Sequence, residues 1–129
     1  MKSINYIFVI VFFATIHVFG QVDVKYLEAY NDQICDLIDN GNYELANKKT
    51  DSLFILSKQL NYTEGVAESY NLKGVINRDQ SNLKEALDNN LNALKLFETL
   101  KMPVKVAGIQ NNIGLIYAEI KEYRTALAY

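Results

Sequence analysis

Histidine and cysteine are nearly missing from this chain of 129 residues, which has one of each, His17 and Cys35. A single thiol cannot close an internal disulfide, and one Cys with one His supplies too few ligands for most transition-metal sites. Cys35, alone in a helical pattern, reads as a small buried hydrophobe. His17 lies in an N-terminal apolar block that reads as a removable leader, and without it Ser-His or Cys-His activation of a nucleophile has no base. There is no glycine-rich phosphate loop, since Gly108 and Gly114 are six apart within a helical pattern. No concentrated basic run exists either, and the formal net charge is −2, which argues against nucleic acid as a partner of this segment. Carboxylate pairs such as Asp32 with Asp36 and Glu85 with Asp88 read as solvated helix faces, because nothing in the sequence sets them in a cleft. The expectation is a non-enzyme with no catalytic, cofactor-binding or metal-binding residue.

The apolar block itself reads MKSINYIFVIVFFATIHVFG over residues 1–20. A basic Lys2, an apolar run from Tyr6 to Ile16, and Val18 and Gly20 at the positions that a peptidase would inspect form a secretory signal, with Gln21 as the expected new N-terminus. An uncleaved membrane anchor is the alternative. The 16 residues from Ile4 to Phe19 would make a helix of about 24 Å, short of the roughly 30 Å of a bilayer core. Export to the periplasm or the outside is therefore expected, with no membrane contact after cleavage.

From Val24 onward the chain repeats itself at forty residues. Ala46, Ala86 and Ala126 keep that spacing, preceded three positions earlier by Tyr43, Leu83 and Tyr123. So do Asn31, Asn71 and Asn111; Gly74 and Gly114; Ala67 and Ala107; and Asp39, Asp79 and Glu119. Apolar residues recur at three and four, as in Leu83, Leu87, Leu91 and Leu94, which is a helical period. Breakers fall at Asn40-Gly41-Asn42, Asn61 to Glu64, Ser81-Asn82 and Met102-Pro103. Asn82 with Glu85 suggests a capping box, and Pro103 suits a first helical turn. The spacing predicts helices over 24–39, 43–60, 64–80, 83–100 and 104–120, and the start of another at 123. These form an all-α solenoid of antiparallel hairpins spanning 21–129, with repeats at about 24–62, 64–102 and an incomplete 104–129. Gly74 and Ala86, like Gly114 and Ala126, are spaced to face each other across a hairpin and let two backbones approach, and Ala93 can serve the next hairpin similarly.

Gly74, Ala86 and Ala93, echoed by Gly114, Tyr117, Tyr123 and Ala126, resemble the tetratricopeptide repeat. The last repeat fits that pattern best. The middle one has Asn77 where an aromatic residue is usual, and in the first Ile34 and Leu53 replace the glycine and the later alanine, leaving Tyr43 and Ala46 to carry it. The period exceeds the usual thirty-four or so residues of that family, which implies longer helices. Exported repeats of this long kind resemble the sensory regions of bacterial signalling proteins, where a membrane span and an output domain follow.

The resemblance implies that the first helix of each repeat lines a groove. Asn31, Asn71 and Asn111 then form a ladder along it, with Glu28, Glu68, Arg78, Asp39, Asp79 and Glu119 beside them. Amides offer donor and acceptor together, so such a ladder can pair with the backbone of an extended peptide, and the acids add a preference for a neutral or basic one. Alternatively the asparagines bond between helices and hold the repeats in register. With only Arg78 as a cation in these rows, clamping of a terminal carboxylate is disfavoured. A second reading is a self-associating or partner-capped adaptor: the sequence stops two turns into the last helix, so Ile113, Ile116, Tyr117 and Ile120 are expected to lack a cover. Either more chain follows, or another molecule covers them.

Overall fold

The computed structural model describes residues 22–121 and 128–129. These contain five helices: α1 (Val24–Asp39), α2 (Tyr43–Gln59), α3 (Thr63–Asp79), α4 (Leu83–Thr99) and α5 (Pro103–Glu119). Each expected helix is present with its ends within one residue. The stretches where a leader (1–20) and the start of a further helix (Tyr123 and Ala126) are expected lie outside the described residues. No helix among the described residues is long and apolar enough to cross a membrane.

Consecutive helices pack together, α1 also touches α3, and α3 touches α5, whereas α2 and α4 do not meet. This is an all-α solenoid of antiparallel hairpins, with the odd-numbered helices side by side in one layer. Its turns obey a shorter period than the sequence alignment does. Gly41, Asn61, Ser81, Lys101 and Lys121, twenty residues apart, all have positive φ, between 53° and 72°. After α1, the Gly41 N–H donates to Ile38 O and the Asn42 N–H to Leu37 O, both at 2.8 Å, and the same pair of bonds follows α2, α3 and α4. This double bond with a left-handed residue closes a helix and satisfies its last carbonyls. It favours glycine, because a Cβ in that conformation costs about 1 kcal/mol or more. Ser81→Gly is therefore expected to raise stability by about 1 kcal/mol, and Gly41→Ala to lower it by a similar amount; denaturant titration of the two variants checks both signs.

The N-termini are closed less uniformly. Asp23 accepts from the Tyr26 N–H at 2.8 Å ahead of α1, and Asn42 from the Leu45 N–H at 3.4 Å ahead of α2. Asn82 stands at the N-cap of α4 but its side chain makes no cap bond, so the capping box expected there does not form. Pro103 opens α5, where its missing N–H leaves no bond unmade.

Two apolar clusters hold the layers together. The first joins Leu27, Ile34 and Ile38 of α1 to Ala46 and Leu53 of α2 and Leu72 and Ile76 of α3. The second joins Ala67 of α3 to Ala93 and Phe97 of α4 and Ile109 and Ile113 of α5. Helix α3 contributes to both. Ala46, Ala86 and Ala93 are wholly buried, Tyr43 packs on the first cluster, and Tyr117 packs on the second with Tyr129 stacked on its ring. Gly74 is a close-approach position, but the side chain that a Cβ there would strike is Asn90, four residues beyond Ala86. Gly114 is half-buried, and its expected partner Ala126 falls outside the described residues. Ile113 and Ile116, expected to be open, are completely buried, while Ile120 is exposed; the open face of α5 is a different one.

Candidate binding groove

The residues singled out for a groove stand on α1, α3 and α5, the helices that touch one another. Along the seam between α3 and α5 the polar side chains meet in pairs. The Lys105 ammonium is ion-paired with the Glu68 carboxylate. The Asn112 amide donates to Asn71 Oδ1 at 3.2 Å, and Asn71 Nδ2 in turn donates to Glu68 Oε2 at 3.3 Å. Arg78 lies 3.2 Å from Asp79 and 3.9 Å from Glu119 of α5. Here the amide contact between repeats is a register contact, and the rung on α5 is Asn112; Asn111 is exposed. Asn31 does not reach Asn71: its Nδ2 meets only Cys35 Sγ, at 4.0 Å, and its buried Oδ1 has no partner among the described residues. Asp39, at the last turn of α1, is exposed.

The seam between α1 and α3 is built differently for one reason. Forty residues before Lys105 stands Gly65, so no ammonium reaches Glu28, the counterpart of Glu68, and a cleft of about 170 Å³ opens there. It is lined by Glu28, Asn31 and Asp32 of α1, Tyr62 of the turn, Glu64, Gly65 and Glu68 of α3, and Lys105. Four carboxylates thus face one ammonium, which Glu68 already holds. The backbone of Gly65 is pressed against Tyr62, whose ring carbon Cδ1 would lie 2.5 Å from an added Cβ.

Burial and the surrounding carboxylates act together on the neighbouring titratable groups. Burial, then Glu64, Glu28 and Glu68, push the Tyr62 phenol up to about 12. Burial, then Glu68, Asp32, Asp39 and Asp36, raise the Cys35 thiol, so it stays protonated and unreactive at neutral pH. The hydrogen bond to Glu68 raises Lys105 against the opposing effect of its burial.

A second cleft, of about 290 Å³, lies one repeat along, lined by residues including Asn71, Val104, Lys105, Gly108, Asn111 and Asn112. By the forty-residue register Asn71, Val104 and Gly108 occupy the places of Asn31, Glu64 and Glu68. The groove thus has two equivalent hollows, one lined by four carboxylates and one by none. Sequence reasoning named Glu28, Asn31 and Glu68 for the groove, read Asp32 as part of a solvated face where the structure sets it in the cleft, and missed Glu64, Tyr62 and Lys105. The available signal was the register itself, which sets Gly65 against Lys105. No group of three or more potential metal-ligating side chains forms among the described residues. In comparisons with protein-family models, with curated proteins and with solved structures, nothing matches this chain.

Proposed function

We propose that this chain is a binding module for an extended peptide or protein segment, taken along α1, α3 and α5, with a Lys or Arg side chain entering the acidic cleft. The observation that carries this reading is the cleft at Gly65, which Glu28, Asp32 and Glu64 line together with Asn31, whose buried Oδ1 has no partner among the described residues. A carboxylate cluster attracts a cation, and its oxygens accept from an ammonium, a guanidinium or a backbone N–H. Neighbouring helices sit about 10 Å apart, close to three residues of extended chain at about 3.3 Å each. The ligand pattern that fits is a basic residue followed, three residues on in either direction, by a small neutral one. Asn71 serves repeat register here, while Asn31 and Asn111 face the ligand.

Calorimetric titration with short extended peptides tests the proposal. A peptide with one central Lys or Arg is expected to bind, its Glu counterpart to bind at least tenfold more weakly, and rising salt to weaken the basic peptide. Glu28→Gln with Asp32→Asn is expected to cost about 1–3 kcal/mol of affinity, the scale of lost charge-assisted bonds, with helicity unchanged. Equal affinity for the basic and acidic peptides sinks the reading. The tetratricopeptide resemblance and the leader over residues 1–20 support a further assignment, that the module is exported and is the sensing or interaction part of a larger signalling protein; it binds and does not catalyse.

A further inference from the structure

One ammonium stands on the border between the two hollows. Lys105 lines both of them. Its charged end is held by Glu68, a wall of the acidic cleft, and lies 6.0 Å from the ring centre of Phe97, which lines the second hollow. Glu68 has little freedom to release it. The Glu68 side chain is only 12% exposed, its second oxygen accepts from Asn71 Nδ2 at 3.3 Å, and Asn71 is in turn tied to Asn112 of α5. A carboxylate so covered and so bonded is costly to leave without its cation. The ion pair is therefore a fixed partition in the groove, with an acidic chamber on one side and an uncharged one on the other.

The two chambers offer a cation different surroundings. In the first, Glu28, Asp32 and Glu64 face an entering ammonium or guanidinium. In the second, Val104 and Gly108 stand where the forty-residue register has Glu64 and Glu68, and the polar groups on its walls are the amides of Asn71, Asn111 and Asn112 and the ammonium of Lys105. Glu68, which offsets that ammonium, lines only the acidic side. A basic side chain in the second chamber would meet a like charge and exchange water for amides alone, whereas a small neutral one meets neither cost. We infer that Lys105 is the specificity-determining residue of the groove: it admits a segment with one basic residue and turns away a segment that carries a second one three residues along. The inference rests on the peptide reading above and adds to it the repulsive element by which a binding site rejects wrong partners.

Calorimetric titration at low salt with two short extended peptides tests this. One has Lys at its centre and Ala three places to either side; the other has Lys at all three places. The unsubstituted chain is expected to bind the first at least about fivefold more tightly, against the general attraction of an acidic groove for the more highly charged peptide. Lys105→Gln keeps an N–H for Glu68 but removes the charge, and is expected to reduce that preference by about fivefold, while Lys105→Arg retains it. A smaller folded fraction weakens both peptides by the same factor, so the ratio of the two affinities reads the charge and not the fold. Equal or tighter binding of the three-lysine peptide by the unsubstituted chain overturns the inference without any variant, as does a preference that survives Lys105→Gln unchanged. If the one-lysine peptide does not bind the unsubstituted chain at all, the groove reading itself falls and this inference with it, so the one-lysine peptide tells the two failures apart.

Discussion

Phe97→Ala is expected to cost about 3–5 kcal/mol of folding stability, a large part of the 5–15 kcal/mol typical of a domain. Phe97 is fully buried and stands among Ala67, Ala93, Ile109 and Ile113, so it joins three helices through one ring. Its neighbours Ala67 and Ala93 are small, so removing the ring leaves a cavity between three helices. The loss should also be local. The first cluster shares only α3 with the second, and in a solenoid each hairpin leans on its neighbours alone. Hydrogen exchange of the variant should therefore accelerate through α4 and α5 while α1 and α2 keep most of their protection. Equal acceleration in all five helices, or a loss below about 1 kcal/mol, the average for an arbitrary substitution, contradicts this account. In the unsubstituted chain the same reasoning puts the fastest exchange at the α5 end, in residues 115–121, and slower exchange over 64–100.

The helices were legible because apolar residues recur at three and four and because each interruption contains turn-forming residues, as at Asn40-Gly41-Asn42 and Ser81-Asn82. The weakness of the first repeat in sequence has a physical source in paired exchanges of volume. Where the second hairpin has Ala93 and Phe97, the first has Leu53 and Ser57, all four buried. One large and one small residue change places, so the space filled is similar while the residue types differ. The twenty-residue turn period was hidden for another reason. The left-handed position is occupied by Gly, Asn, Ser and Lys in turn, and the bonds that close each helix come from the backbone, which leaves no trace in side-chain identity. The acidic cleft was only half legible. Glu28, Asn31 and Glu68 lie on rows that repeat, but Lys105 meets Glu68 across thirty-seven residues, and the opening depends on what Gly65 lacks. The expectation for α5 failed in part through face assignment: Ile113 turns inward with Ile109 against α3 and α4 and Ile116 is buried too, while Ile120 is exposed as expected, and the side left bare is the mixed stripe of Val104, Gly108, Asn111 and Leu115, whose apolar content is too low to stand out in sequence.

The second large effect is expected at Gly74, where a substitution that ordinarily helps a helix should harm this one. Alanine for glycine inside a helix gains about 1 kcal/mol in propensity, and Gly108→Ala, with open space around it, should show that gain. At Gly74 the added methyl would lie 2.9 Å from the Asn90 amide carbon and closer still to its nitrogen. Asn90 is itself buried and bound, its Nδ2 donating to Ala86 O at 2.9 Å, so it can retreat only by giving up that bond or by parting α3 from α4. Overpacking of this kind costs about 1–3 kcal/mol, and losing the buried bond adds about 1–3 kcal/mol more, which together exceed the propensity gain. Net destabilisation is expected. The first hairpin indicates how the clash is relieved, since the corresponding places there hold Ile34 and Thr50, both fully buried, with the shorter Thr50 making the equivalent bond to Ala46 O at 2.8 Å. Asn90→Thr combined with Gly74→Ala should therefore recover most of the loss, with a favourable coupling of more than about 0.5 kcal/mol in a double-mutant cycle. If the two changes simply add, Asn90 is not what holds Gly74 to glycine, and the close approach of α3 to α4 must rest on contacts elsewhere along the hairpin.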